Sequence, residues 1–163
     1  MTILQDFTQH LEYNSLDLIN ISNSIFRDIQ SRSDGAAIYG INCNDSILYN
    51  LTFFGLISEN FGGAVAWVRS DDGTVSGCSF VNNSAHDGGA IDWCLNDGGT
   101  VIGCSFVNTS ADYAAAIIWD RNTKGTISGC IFVNNSADTG IVYFYNMANS
   151  GHDFAINNNS SAV

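Results

Sequence analysis

The stretch GTVSGCSFVNNSA, residues 73–85, returns as GTVIGCSFVNTSA at residues 99–111 and as GTISGCIFVNNSA at residues 125–137. The cysteine in each copy, Cys78, Cys104 or Cys130, lies 26 residues after the one before it. Similarity at a fixed period of about 20 to 50 residues is typical of solenoids, propellers and repeat arrays. The chain is therefore expected to consist of stacked copies of one unit.

Weaker copies extend the repeat in both directions. At steps of 26 residues, and finally of 28, one column of phenylalanines comprises Phe132, Phe106, Phe80, Phe54 and Phe26. A second aromatic column comprises Trp119, Trp93 and Trp67, flanked by Tyr145 and Tyr39. We therefore expect repeats over residues 16–146. Residues 1–15 are either an N-terminal cap, with apolar residues at helical spacing, or a degenerate coil, and residues 147–163 are a degenerate terminal coil or a linker.

The composition of each unit predicts short strands. The units are rich in Gly, Ser, Thr and Asn, and apolar residues such as Cys78 and Phe80, or Ile91 and Trp93, alternate over short runs. One unit has no face wide enough to be stable alone, so neighbouring units must stack in parallel strands about 4.8 Å apart. Propeller blades are longer, and leucine-rich repeats need a leucine framework that is missing. The sequence predicts an all-β, right-handed parallel β-helix (β-solenoid) of about five to six coils, with the hand taken from strand twist and coil length.

The charge balance restricts the partners of the chain. It has 5 Lys and Arg against 16 Asp and Glu, a net charge of −11. No basic cluster could neutralise phosphates, so we expect no nucleic-acid partner, and an anionic polysaccharide is disfavoured. No apolar run approaches the roughly 18 residues that a membrane span needs. No signal peptide is recognised at Met1, and we expect the chain to be a segment of a longer protein.

Two columns of the repeat have alternative interpretations. Cys78, Cys104 and Cys130 are expected to stack as free thiols, because vertical neighbours have parallel Cβ vectors rather than the converging ones of a disulfide. The tryptophan column could form an exposed strip that stacks on sugar rings, or it could lie in the core. Since Asp92 is expected to be solvated on the other face of its strand, the core is favoured.

Two asparagine columns follow the Phe-Val-Asn strand. Asn83 and Asn135, with Thr109 between them, are expected to form a structural ladder at a corner of the coil. The neighbouring column begins three Asn-x-Ser sequons, at Asn82, Asn108 and Asn134. Such matches arise by composition in a chain rich in Asn and Ser. Glycosylation at these residues is possible on a secretory route that glycosylates.

One column of titratable groups contains His86, Asp112 and Asp138, with Asp87 beside it. Aligned carboxylates could bind Ca²⁺ or serve a glycosidase. The calcium nonapeptide, the EF-hand spacing, a zinc-site spacing and the Gly-x-Ser-x-Gly elbow are all missing. We therefore expect a solvated face, with no catalytic, metal or cofactor site.

The motifs of the unit resemble those of a known repeat family. Gly88-Gly89-Ala90-Ile91 and Phe80-Val81-Asn82-Asn83 resemble the GGAI and FxxN motifs of the polymorphic outer membrane protein repeat. The whole unit is most similar to repeats in adhesin-like surface proteins of methane-producing archaea. Thr109 in place of Asn, and Ala-Ala-Ala-Ile at 114–117 in place of GGAI, depart from the pattern. The resemblance implies an extracellular, surface-displayed β-helix concerned with adhesion.

The expected function follows from the fold and this resemblance. We expect a non-enzymatic, cell-surface segment that acts as a structural stalk in adhesion or self-assembly. Its expected partners are further copies of itself stacked end to end, or cell-surface and glycan ligands. The alternative is a carbohydrate-binding or carbohydrate-cleaving β-helix of the polysaccharide lyase or glycoside hydrolase type, which needs a groove with convergent carboxylates.

Overall fold

The computed structural model describes residues 5–121 and 125–145, and every regular element in these ranges is a β-strand. Most strands belong to three parallel sheets. Sheet A contains β1 (Gln5–Phe7), β4 (Ser24–Arg27), β8 (Thr52–Phe54), β12 (Ser79–Val81), β15 (Ser105–Val107) and β18 (Ile131–Val133). Sheet B contains β2 (Leu11–Asn14), β6 (Ile38–Ile41), β10 (Val65–Val68), β13 (Ile91–Cys94), β16 (Ile117–Asp120) and β19 (Val142–Tyr145). Sheet C contains β3 (Asn20–Ser22), β7 (Ile47–Tyr49), β11 (Thr74–Ser76), β14 (Thr100–Ile102) and β17 (Thr126–Ser128), and a two-stranded ladder pairs β5 (Gln30–Ser31) with β9 (Ile57–Ser58).

Each full coil passes through sheets C, A and B in turn before it returns to sheet C. All pairings between neighbouring coils are parallel, as in Thr74 with Thr100 and Phe80 with Phe106. The predicted fold is confirmed: the chain is a parallel β-solenoid of about five turns, each of roughly 26 residues. Right-handed winding stays a prediction from strand twist.

The N-terminal end of the described chain is made of strands. β1 and β2 pair with β4 and β6, so residues 5–7 and 11–14 have the strands of a short first coil and no helical turn. The cap or degenerate coil expected for residues 1–15 stays a prediction, because residues 1–4 lie outside the described part of the chain. The segment 147–163, expected to be a degenerate coil or a linker, lies outside the described residues.

The interior consists of ladders of like side chains. Rings of Phe80, Phe106 and Phe132 stack with centroids 4.8 and 5.0 Å apart. The indoles of Trp67, Trp93 and Trp119 also stack and are fully buried, which confirms their assignment to the core. The cysteine column, Cys78, Cys104 and Cys130, is buried as free thiols.

Phe54 was assigned to the phenylalanine column, and this prediction is wrong. Phe80 pairs with Phe53, and Phe53 pairs with Phe26, so each of the early coils has 27 residues. The hydrogen-bonded residues Leu56 and Asn83 are separated by the same number. A shift of one residue reverses the face to which a strand side chain points. Phe53 is therefore buried, whereas Phe54 is 40% exposed.

The same shift corrects the ends of the tryptophan column. Trp67 pairs with Gly40 rather than Tyr39, and Trp119 pairs with Phe144 rather than Tyr145. The indole of Trp67 lies over Gly40, where an added Cβ would be 3.5 Å from Nε1. Tyr39 consequently points away from the core, a position that matters for the groove described below.

The glycine that opens each repeated stretch is explained by tryptophan packing. A Cβ on Gly99 would lie 2.7 Å from Cζ2 of Trp93, and one on Gly125 would lie 2.0 Å from Cζ2 of Trp119. Only a residue without a side chain allows this close approach of backbone to indole. The glycine that starts each repeated stretch therefore packs directly against a tryptophan of the core column.

The asparagine columns form the corner after sheet A. Asn82, Asn108 and Asn134 have φ angles of 55, 53 and 52°, a left-handed conformation that Asn adopts readily, and their side chains are exposed. Asn83 and Asn135 are buried, and Oδ1 of Asn135 accepts hydrogen bonds from the backbone N–H and the hydroxyl of Thr109. The second column is therefore a structural ladder, and glycosylation of the first stays a prediction.

Candidate functional site

The outer face of sheet B is sheltered, unlike the outer faces of sheets A and C. Alternation along β10, β13 and β16 directs Ala66, Asp92 and Ile118 away from the core, yet all three are buried. At corresponding outward positions of sheets A and C, Ser79 and Thr74 are partly exposed. The turn that precedes sheet B therefore covers its outer face.

That turn forms one wall of a groove. Its residues at one position in successive coils are Asp34, Phe61, Asp87 and Tyr113, an alternation of carboxylates and aromatic rings. Phe61 and Tyr113 pair with Asp87 from the coils on either side. The two rings are exposed, so the wall presents flat apolar surfaces to solvent.

Glycines bring this turn close to the sheet. Gly62 and Gly88 have φ angles of 61 and 62°, which glycine adopts without strain. An added Cβ on Gly62 would lie 3.1 Å from the backbone nitrogen of Asp92, and one on Gly88 would lie 2.9 Å from Cγ2 of Ile118. The first glycine of the Gly-Gly-Ala-Ile motif thus allows the wall to fold against the next strand of the sheet.

Arginines lie on the opposite side of the groove. Arg69 and Arg121 directly follow β10 and β16 in left-handed turns. Nε of Arg121 donates to Oδ2 of Asp120 at 2.9 Å, and the thiol of Cys94 donates to the same oxygen at 3.5 Å. Burial and the neighbouring carboxylates of Asp92 and Asp120 raise the pKa of Cys94 to about 12, so this thiol is not a nucleophile at neutral pH.

The groove has a volume of about 530 Å³, within the range of small-ligand sites. Its floor combines Tyr39, Asp92, Ile118 and Tyr143 from neighbouring strands. The full lining comprises four carboxylates, two guanidinium groups, four aromatic rings, one thiol and three aliphatic side chains. The arrangement offers flat rings and hydrogen-bonding groups along one continuous surface.

Asp92 is the most unusual side chain of the groove. It is 4% exposed, and no hydrogen bond or ion pair to its carboxyl group occurs within residues 5–121 and 125–145. Burial, followed by the nearby carboxylates of Asp34, Asp120 and Asp87, raises its pKa well above the ordinary value. The sequence-based expectation that Asp92 is solvated is therefore wrong, although its strand face was predicted correctly.

The predicted titratable column divides between the groove and solvent. His86 and Asp112 are exposed, and Nε2 of His86 lies 3.5 Å from Oδ2 of Asp112. Asp138 is exposed as well. Asp87, by contrast, lines the groove and accepts a 2.6 Å hydrogen bond from Nδ1 of His86. The expected solvated face thus holds for the column itself but not for Asp87.

Sequence reasoning missed the aromatic rings of the groove. Tyr39 was placed in the tryptophan column, and Phe61, Tyr113 and Tyr143 were not considered. The wall residues share a structural position but not a residue type, so a search for repeated identities passes over them. A list of outward-facing residues in sheet B, with those of the preceding turn, would have found the groove.

Two features are absent from the described residues, 5–121 and 125–145. No group of three or more His, Cys, Asp or Glu side chains there is arranged to hold a metal ion. Among the same residues, none belongs to a helix that could cross a membrane.

Fold and site together define the class of protein: a parallel β-solenoid with a lateral groove on one sheet. The chain matches no protein-family model, no curated protein and no solved structure. Its function must therefore be inferred from the groove and its chemistry.

Proposed function

We propose that the chain is a surface-displayed, adhesin-like β-solenoid segment that binds a carbohydrate in the groove on sheet B. The observation that carries the proposal is the combination of exposed aromatic rings with buried and half-buried carboxylates along one concave surface. Sugar rings present apolar C–H faces that pack on aromatic rings, and hydroxyl groups that pair with carboxylates and guanidinium groups.

The stacking of the coils supports an adhesive role. Coils stacked at about 4.8 Å give a stiff element whose lateral surface, rather than its ends, displays the groove. Such a groove remains accessible when further coils or copies extend the stack. Extracellular location and end-to-end self-assembly stay predictions that accompany the proposal, consistent with the resemblance to adhesin-like repeats.

Replacing Tyr113 tests the proposed ligand surface. A glycan array with neutral, acidic and amino-sugar oligosaccharides identifies a ligand for the wild-type chain. We expect Tyr113→Ala to weaken its binding by about tenfold or more, because the substitution removes a stacking surface from the wall. Affinity is measured by isothermal titration calorimetry.

Tyr49→Ala is the matched control for this variant. Tyr49 is 53% exposed and Tyr113 is 47% exposed, but Tyr49 lies on the outer face of sheet C, away from the groove. We expect this variant to retain wild-type affinity. An array without any bound glycan, or an equal loss of affinity in both variants, would contradict the proposal.

Glycoside cleavage is a second candidate, favoured by the buried Asp92 carboxyl group. Burial and nearby carboxylates raise the pKa of Asp92, and a carboxylic acid that holds its proton more firmly suits proton donation to the departing glycosidic oxygen. A second groove carboxylate would accept a proton from the attacking water as that water bonds to the anomeric carbon. At the same time the bond between the anomeric carbon and the glycosidic oxygen breaks. Asp34, Asp87 and Asp120 are available for this role.

A reducing-end assay on the array ligands distinguishes binding from cleavage. If the groove only binds, we expect no sustained release of reducing ends. Turnover that Asp92→Asn abolishes, with binding retained, would establish the enzymatic alternative in place of the non-enzymatic proposal.

A further inference from the structure

We infer that the carbohydrate bound in this groove is an amino sugar, whose ammonium group pairs with the carboxylate of Asp92. The inference rests on the proposed carbohydrate-binding function and specifies the class of ligand. It follows from the position of Asp92 in the floor, from the lack of a protein partner for it, and from the charge of its surroundings.

The carboxyl group of Asp92 is buried without a protein partner among the described residues. Buried carboxyl groups are normally hydrogen-bonded or paired with a cation. Asp92 is 96% buried and lines the groove, yet no hydrogen bond or ion pair reaches its carboxyl group among the described residues. The side that is free of protein contacts is the groove itself, so the expected partner arrives with the ligand.

The two arginines of the groove, Arg69 and Arg121, do not form an ion pair with Asp92. Nε of Arg121 is engaged by Oδ2 of Asp120, and its Nη2 lies 3.8 Å from the sulfur of Cys94. Arg69 forms no ion pair with a described residue. The positive charge of Arg121 favours the ionised form of Asp92 only in part, because its guanidinium group is bound to Asp120.

The side chains around Asp92 include more acidic than basic groups. The groups that face or surround Asp92 are mostly acidic or neutral: Asp34, Asp87, Asp120, Tyr39, Cys94, Tyr143, Arg69 and Arg121. Oδ1 of Asp120 is likewise buried without a hydrogen-bond partner in the described part of the chain. Such a field repels uronic acids and sialic acids and attracts an ammonium group.

The aromatic rings supply a surface for the sugar ring itself. Sugar rings pack their apolar C–H faces on aromatic side chains. Tyr39 and Tyr143 stand in the same floor column as Asp92, separated from it by Ala66 and Ile118. An amino sugar can therefore place its ring against the wall and its ammonium group on the floor.

Ligand binding is consequently coupled to ionisation of Asp92. Because burial and nearby carboxylates raise the pKa of this group, it keeps its proton to a higher pH in the empty groove than an exposed aspartic acid does. An ammonium group favours the ionised form, so binding releases a proton from Asp92 to the buffer. Affinity rises with pH as this competition by protons decreases, until the ligand amine loses its own proton.

The test compares a glucosamine tetrasaccharide with its fully N-acetylated counterpart. Calorimetry is done on the whole chain at mildly acidic pH, in two buffers of different ionisation enthalpy. We expect the amino form to bind at least about tenfold more tightly and to release up to one proton per chain. We expect Asp92→Asn to lose both the preference and the proton release.

The controls separate this inference from the proposed function. Asp112→Asn removes an equal charge from a side chain that is 67% exposed and outside the groove, and it should keep the preference. Equal or tighter binding of the acetylated form would overturn the amino-sugar inference and leave carbohydrate binding intact. Failure of both sugars, together with an array that shows no bound glycan, would overturn both. Trilysine that binds as tightly as the amino sugar would show a general ammonium site and overturn the inference.

Discussion

Replacing Phe53 with alanine is expected to destabilise the solenoid by about 3 to 5 kcal/mol, whereas the same replacement at Phe54 is expected to cost about 1 kcal/mol or less. Phe53 is fully buried and stacks between Phe26 and Phe80, with ring centroids 5.2 and 4.8 Å away. Its removal leaves a cavity and interrupts the ladder between two pairs of coils. Phe54 points outward and is 40% exposed.

Urea unfolding followed by tryptophan fluorescence measures both variants, because Trp67, Trp93 and Trp119 report on the core. Phe53→Leu provides a second measurement if the alanine variant does not fold, with an expected loss of about 1 to 2 kcal/mol. A larger loss at Phe54 than at Phe53 would mean that the described register is wrong.

Introducing a side chain at Gly89 is also expected to destabilise the solenoid. In Gly89→Ala, the new Cβ would lie 2.2 Å from the carbonyl oxygen of Ala115 and 2.6 Å from that of Ser110. Both oxygens belong to the backbone of the next coil, which is fixed by parallel pairing on either side and cannot move as a flexible side chain can. Since Ala115 occupies the equivalent position of the next coil, the backbone can adjust in part, and we expect a loss of about 1 to 3 kcal/mol in the free energy of unfolding.

Gly103→Asn is the control for the Gly89 variant. Gly103 has a φ of 61°, and an added Cβ would meet nothing within 4 Å. Asn50 occupies the equivalent corner two coils earlier with a φ of 51°, so asparagine is already accepted in that column. We expect a change within about 0.5 kcal/mol. Equal losses at Gly89 and Gly103 would show that backbone conformation, rather than crowding, limits these positions.

The sequence predicted the register well wherever the repeat is regular. Phe80, Phe106 and Phe132 are separated by a constant step, and all three stack as expected. In the early coils, steps of 26 and 28 residues reach Phe26 from Phe80 just as two steps of 27 do. Because Phe53 and Phe54 are identical, residue type could not choose between them. The register depends instead on which of the two side chains is directed into the core by strand alternation and packing.

The groove was harder to predict because it depends on positions that differ between coils. The sequence placed Asp92 on the outer face of its strand, but solvation was inferred from its charge alone. Its burial results from the turn that contains Asp87 and its neighbours, which folds over the next strand at Gly62 and Gly88. That folding is a tertiary contact between coils, and no spacing within one unit predicts it.

The ladder arrangement has a consequence for the history of such proteins. Core positions repeat from coil to coil, whereas the wall position changes from Asp34 to Phe61, Asp87 and Tyr113. Duplication or deletion of one unit in the gene would lengthen or shorten the groove by about 4.8 Å and leave every stacking contact equivalent. Point mutations at the wall could then diversify ligand choice on each rung independently. A solenoid of this kind can therefore acquire new ligand specificities while its core residues stay unchanged.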